Sequence, residues 1–545
     1  MKKFLVQNRE ILMNGMAAVF LAVSFVVSMI QINSVHEVYF DESKKNLRIA
    51  HWQLESGYRD ALDHIIREYE KLHPEVAIHQ VPITEKFYAQ VVNTHLVGGT
   101  APDLMEMGMS TMVSQDQYLQ RYFEPMSGHV AKPNPYNAGT ELEGVLWRET
   151  FIDGMRTAYR PSLQDYFGVP SSTFTQRIFY NRDLFRKVLG TDEPPQTFGQ
   201  LLEVCRTIRQ HAEQTGVLLV PIAGSKYNSP IFFERYQAAF LAGYLSELDT
   251  NLDGGIGGME MYAGLESGVF GWDSPPNQAA FGLIRDLSNH FQKGFMAVGR
   301  EQAAFLFVQE NAAMITSGSW DAESLFRQAD FEVGIFDFPM PAGDEPYADQ
   351  VRGRTSEAST GTGNAYGIHR YSRNKDVAID FLQFLTSKAM NQQFNRDINW
   401  IPAVIGARPT KELEVFMPNP EGYTGTLYWF WGGRSRQVYD GGLTAFVQGE
   451  IGLDEFGKNV VDALQDNDYG WTRAAQDEFE AGRNNVRLQE QLLGILNSDA
   501  LFEQTYADHD RRFQEAMIRQ VRADHGLNEY IHRFETELQG KLRME

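Results

Sequence analysis

Between Leu47 and Met105 the apolar pattern changes period four times in under sixty residues, and few folds accommodate that. Leu47-Arg-Ile-Ala-His-Trp52 reads as a strand. Tyr58, Leu62, Ile65, Ile66, Tyr69 and Leu72 recur at three-to-four spacing and predict a helix that Pro74 ends. Val76-Ala-Ile-His-Gln-Val81 is a second strand, Phe87 to Val97 a second helix, and Gly98-Gly-Thr-Ala-Pro-Asp103 a stop before a third short strand. Strands alternating with helices at this spacing predict a parallel sheet with right-handed crossovers. Ligands of such sheets sit beyond the carboxyl ends of the strands. That rule directs attention to Trp52, Gln53 and Glu55 after the first strand and to Glu106 through Gly108 after the third.

A second alternating region starts near Phe167-Gly-Val-Pro170, with a strand at Arg177-Ile-Phe-Tyr180 and a Pro194-Pro195 loop feeding a helix from Phe198. Pro230 to Leu248 reads as an aromatic helix. Asp273-Ser-Pro-Pro caps another, with Phe281, Ile284, Leu287 and Phe291 on one face. The proline-rich segment from Val130 to Gly144 reads as a surface insertion. From about Leu453 to Glu545 charged helical patterns dominate, and Leu527, Ile531, Phe534, Leu538 and Leu542 form a stripe expected to dock on the body.

A length of 545 residues allows two or three domains. A net charge of -22 argues against a phosphate-binding surface, so no nucleic-acid partner is expected. The lone Cys205 excludes an intrachain disulfide and reads as a packing residue on the Leu201/Ile208 side of its helix. At the start, residues 1–10 carry Lys2, Lys3 and Arg9, and residues 11–32 contain the apolar run Met16 to Ile30. This is a charged n-region followed by a signal peptide or, with Ile11 to Met13 included, an uncleaved membrane anchor of about 20 residues. Export is expected either way. A cleavage motif and a lipid-bearing cysteine are both lacking there.

Asp249-Thr-Asn-Leu-Asp-Gly-Gly-Ile-Gly-Gly-Met-Glu260 fits a twelve-residue calcium loop. Asp249, Asn251 and Asp253 occupy positions 1, 3 and 5, Gly254 the sharp turn, Gly255 the carbonyl position and Glu260 the closing carboxylate. A plain Gly/Asp/Asn turn explains the loop without Glu260, so the expected cofactor is a structural Ca2+.

Several segments together resemble the sugar-type extracellular solute-binding proteins of ABC importers, relatives of maltose-binding protein. They are Leu47 to Trp52, Gly99-Thr-Ala-Pro-Asp103, Phe167-Gly-Val-Pro170, Ile178-Phe-Tyr-Asn-Arg-Asp-Leu-Phe185, Pro194-Pro-Gln-Thr-Phe198, Ala312-Ala-Met-Ile-Thr-Ser-Gly-Ser-Trp320 and Tyr371 to Leu385. The calcium-type loop is shared with alginate-binding members. The resemblance implies an α/β, two-lobed, periplasmic-binding-protein-like fold of type II with a hinge, here carrying an additional helical C-terminal region. It places lobe 1 at 46–165 and 361–400, lobe 2 at 166–360, an aromatic cleft region at 401–455 and the extension at 456–545. It further implies that the protein captures a carbohydrate in the cleft and delivers it to ABC permease membrane subunits. Three features depart from the family: the N-terminal segment, the insertion near Lys132 to Tyr136, and the long charged tail.

Sugars present apolar ring faces and rings of hydroxyls, so their sites pair aromatic platforms with carboxylates, amides and hydroxyls. Of eight tryptophans, Trp52, Trp272, Trp320, Trp400, Trp429 and Trp431 are the candidate platforms. Glu55, Ser172, Thr173 and Asn364 are the candidate polar contacts. No catalytic residue is assigned: there is no His-Glu-x-x-His, no Gly-x-Ser-x-Gly and no Walker loop, so the chain is expected not to be an enzyme. A glycan-active hydrolase built on two carboxylates, or a membrane-anchored sugar sensor or scaffold, are the alternatives.

Overall fold

The computed structural model describes residues 43–53, 57–107, 116–160, 163, 165–249, 256, 258–357, 362–423, 426–430, 433–466, 470–501, 513–514, 516–521, 523–525 and 527–528. The apolar run 16–30, Glu55, Gly108, Asn251, Asp253, Gly255, Trp431 and the stripe residues Ile531, Phe534, Leu538 and Leu542 lie outside them. Among the described residues no helix is long and apolar enough to cross a membrane. The chain divides into two compact units, Met1–Glu106 with Ile368–Phe381, and Met107–Gly367 with Leu382–Glu545.

In the first unit, β1 (Lys45–His51) runs parallel to β2 (Val76–Pro82) and to β3 (Leu104–Met107), in the arrangement the alternating pattern predicts. The helix Tyr58–Leu72 buries Tyr58, Ala61, Leu62, Ile65, Ile66 and Tyr69. Leu72 ends the helix exposed rather than extending the stripe. In the helix Glu85–Gly98 the buried face is Tyr88, Val92 and Leu96, at four-residue intervals, while Phe87 and Val97 are exposed. Gly99 ends it in the left-handed region at φ 69°. Asp103 then ties three segments together: it accepts from the Arg48 N–H at 2.8 Å and the Ser372 hydroxyl at 2.6 Å, while its carbonyl accepts from the His369 N–H.

In the second unit β4 (Tyr159–Arg160) pairs antiparallel with β5 (Asp165–Tyr166), and two larger groups of strands follow. In one, β6 (Val169–Thr173) lies between β11 (Thr362–Ile368) and β12 (Ile401–Pro402), antiparallel to both. The other is four-stranded: β10 (Val333–Phe336), β7 (Gln176–Asn181), β9 (Ala312–Gly318) and β8 (Val220–Ala223), in that order. Only β8 and β9 are parallel here. Helices Asn228–Leu241, Pro275–Ser288 and Leu453–Gln465 share one large, aromatic-rich core with residues of the four-stranded sheet. Cys205 is fully buried in that core, as expected, and burial pushes its thiol pKa up.

The proline-rich insertion is more firmly held than a surface loop. The Asn134 amide donates to the Gln383 carbonyl at 2.7 Å, Asn137 accepts from the Lys388 N–H at 2.9 Å, and the fully buried Trp147 donates to the Thr386 hydroxyl at 2.9 Å. The tail forms a long helix, Trp471–Leu501, followed by helical residues from 513 to 528. Ala516 and Ala523 are buried, and Arg519 pairs with the buried Asp165 at 2.8 Å. This portion of the tail docks on the body.

Candidate functional site

The connection from β6 to β7 is Thr173-Phe174-Thr175, and it assembles the first group of candidate residues. Thr175 donates through its hydroxyl to the Phe416 carbonyl at 2.6 Å and accepts at its own carbonyl from the Ser319 N–H at 2.9 Å. With both neighbours fixed, the Phe174 ring stands edge-on to Trp320 (centroids 5.8 Å, planes 79° apart) and to Trp400 (5.0 Å, 77°). Two glycines make room for the rings. A Cβ on Gly318 would stand 2.2 Å from the Trp320 ring, and one on Gly363 would stand 2.7 Å from the Phe174 ring. Phe174 and Trp320 stay half-exposed, while Trp400 is buried.

On the segments that carry Phe174 and Trp320, four polar atoms are buried without a partner among the described residues: the Thr173 hydroxyl, the Ser319 hydroxyl, the Thr316 hydroxyl and the Trp320 indole N–H. Leaving such groups unpaired costs about 1–3 kcal/mol each. Unpaired polar groups on segments that also carry half-exposed rings are what a site that hydrogen-bonds a bound molecule requires.

The first unit carries a smaller arrangement at the carboxyl ends of β1 and β3. Trp52, half-exposed, packs edge-on against Tyr88 with centroids 4.9 Å apart. The buried Glu106 accepts from the Trp52 backbone N–H at 3.1 Å and from the Gln53 amide at 2.5 Å. The Tyr88 hydroxyl donates to the Glu106 carbonyl at 2.8 Å. Burial first, and the neighbouring Glu106 charge second, push the Tyr88 pKa well above its ordinary value, so it stays a neutral donor.

Other residues singled out from sequence take different places. Trp272 and Trp429 are 7% and 1% exposed. Trp272 stacks on Phe281 at 4.9 Å and meets Trp429 edge-on at 4.9 Å, and the Trp429 N–H donates to the Asn277 side chain at 2.7 Å. They are core residues rather than platforms, because inward-facing aromatic positions close the unit. Tyr428, beside Trp429, is exposed. Ser172 donates to the Asn395 side chain at 2.7 Å, and Asn364, at φ 48°, donates to the Ser171 hydroxyl at 2.8 Å. Both hold β6 to its neighbours instead of presenting polar groups to a ligand.

Of the calcium-type loop, Asp249 follows the helix Leu245–Leu248, and Glu260, 4% exposed, opens the helix Gly258–Ser267. Asn251, Asp253 and Gly255 lie outside the described residues, among which no cluster of three metal-ligating side chains occurs.

Phe174 is the residue that sequence reasoning passed over. Its signal was available: a lone aromatic between two threonines, just after a short strand.

Residues 55–392 match the family of bacterial extracellular solute-binding proteins. Over 189 residues the chain is 25% identical to YcjN of Escherichia coli, named as a periplasmic-binding protein of an ABC transporter; the match spans 34% of this chain and 40% of that protein. It is 23% identical over 403 residues to the maltodextrin-binding protein MdxE of Bacillus subtilis, spanning 71% of this chain and 80% of the relative. Among solved structures, the solute-binding protein RafE in complex with raffinose superposes with a TM-score of 0.52 at 16% identity, covering 76% of this chain and 97% of that one. That likeness establishes the fold as the two-lobed α/β type of periplasmic binding proteins. With the match running through more than half of its length, the chain belongs to the bacterial extracellular solute-binding protein family.

Proposed function

We propose that the protein binds a carbohydrate, mono- or oligosaccharide, outside the cytoplasm and delivers it to the membrane subunits of an ABC importer. The observation that carries this reading is the trio Phe174, Trp320 and Trp400, on segments that also hold unpartnered hydroxyls and the unpartnered Trp320 indole N–H. Apolar sugar faces suit the half-exposed rings, and sugar hydroxyls suit the orphan donors. In the first unit taken by itself, the half-exposed Trp52, with its N–H bonded to Glu106 and its ring against Tyr88, is another aromatic face that suits a sugar. Relatives with names or titles stating maltodextrin and raffinose support the sugar class. The apolar run 16–30 serves export in this reading, with or without remaining as an anchor.

Asp249, Asn251, Asp253, Gly255 and Glu260 hold a calcium ion that braces the loop between two helices. The buried Glu260 carboxylate suits the closing, bidentate position.

A thermal-shift screen tests both parts. Maltotriose, raffinose, xylotriose and glucose are added to the pure protein with calcium or with a chelator. A ligand that binds only the folded state raises the melting point by mass action, so at least one sugar at a hundred times its Kd lifts it by several degrees. Chelation alone lowers it. A flat response to a broad sugar panel rejects the ligand class, and indifference to chelation rejects the ion.

A further inference from the structure

Within the second unit the described chain passes three times between the strands β6, β11 and β12 and the four-stranded sheet or its helices: from β6 to β7, from β10 to β11, and from β12 towards the helix Gly433–Val447. One buried guanidinium touches all three passages. Arg177, 3% exposed, lies at the start of β7 and uses every one of its five donors. Nε donates to the Val415 carbonyl at 3.0 Å and Nη2 to the Met417 carbonyl at 3.3 Å, both on the third passage. Nη1 donates to the Gln176 carbonyl at 2.7 Å. Nη1 and Nη2 then grip Glu357 on the second passage in a two-pronged pair, at 2.8 and 3.0 Å.

Glu357 is as deeply buried and as fully used. It accepts from Arg235 at 2.9 Å and from the Asn419 N–H at 3.0 Å, while its own N–H donates to the Asn419 carbonyl at 2.8 Å. Asp337, paired with Arg354 at 2.6 Å and lying 3.8 Å from Arg177, completes the cluster. Such a cluster is poor evidence for added stability, because desolvating the charges offsets most of their attraction. What it does supply is geometry: a planar, saturated fork admits one arrangement of the three strands of chain.

We propose that the Arg177–Glu357 pair is the pin that holds the three passages together and sets how freely the strands β6, β11 and β12 shift relative to the four-stranded sheet. Arg177 and Glu357 are then positioning residues, and nothing in the assignment depends on which ligand the protein takes.

Amide hydrogen exchange on the unliganded full chain tests it. In Glu357→Gln, exchange at Ser319, Ser356 and Asn419, all on or against the passages, rises tenfold or more, while amides of β1 in the first unit stay within twofold. Arg177→Lys keeps the charge but not the fork, and gives the same pattern at smaller size, so a poorly folding Glu357→Gln does not leave the question open. Uniform acceleration including β1, or none at the passages, overturns the pin. A maltotriose titration of the unmodified protein reports separately on the sugar reading, so the two fail independently.

Discussion

Two aromatic clusters in the second unit have nearly the same composition and opposite roles. Trp272, Phe281, Trp429 and Phe456 interlock in the core; Phe174, Trp320 and Trp400 meet at the junction of two sheets. Exposure and hydrogen bonding separate them. The Trp429 N–H has Asn277, whereas the Trp320 N–H is buried with nothing among the described residues to accept it. An orphan donor alone is not diagnostic, because the Trp272 N–H is unpaired too. It faces Gly457, where a Cβ would lie 2.0 Å away, so packing closes that spot against any ligand. A site needs the orphan and the open ring face together.

The largest effect expected follows from this contrast. Trp429→Ala leaves a core cavity and an unpaired Asn277, costing about 3–5 kcal/mol of folding stability. Trp320→Ala costs about 1 kcal/mol, since its ring is half-exposed, but lowers sugar affinity at least tenfold. Urea unfolding and calorimetric binding on both variants decide it. Equal stability losses with equal affinity losses would erase the distinction between the clusters.

A buried histidine ring also holds a nitrogen with no partner among the described residues. His290 is buried, with Nδ1 unpartnered, and burial first, then the charges of Arg209 and Arg206, push its pKa down to about 4 from 6.5. The folded protein therefore keeps it neutral where the unfolded chain takes up a proton. Stability is complete above pH 6.5, declines as pH falls towards 4, and the loss reaches up to about 3 kcal/mol. His290→Asn removes that slope. Urea midpoints at pH 7 and pH 5 give the measurement, and an unchanged slope in the variant would assign it to other groups.

The first unit was largely legible in sequence, because its strands and helices alternate in separate periods and Gly99, Pro74 and the Asp103 turn punctuate them. The second was less so. Its sheets are mostly antiparallel and assembled from strands far apart in the chain, such as β6 with β11, and no local period reports such pairing. Trp320 and Trp400 were identifiable as residue types near turns. Trp272 and Trp429 looked the same, since a single tryptophan carries no periodic signal of which way it points. Alternation in Tyr428-Trp-Phe430 was the missed clue: the middle ring is inward and Tyr428 outward. The Arg177–Glu357 pair, 180 residues apart, had no sequence signature.

The smallest expected change in stability is also the sharpest discriminator. Thr173→Val replaces a fully buried hydroxyl that has no partner among the described residues with a methyl group of the same shape. Were Thr173 an ordinary core threonine, its hydroxyl would be bonded in the free protein and the replacement would cost about 1 kcal/mol. For a hydroxyl held unpaired until ligand arrives, the free protein loses nothing and gains up to about 1 kcal/mol, because an unmet polar group has been removed. Affinity moves the other way and falls several-fold. A variant that is both more stable and a weaker binder places Thr173 with Phe174 and Trp320; a variant that is less stable and binds normally returns it to the core alongside Trp429.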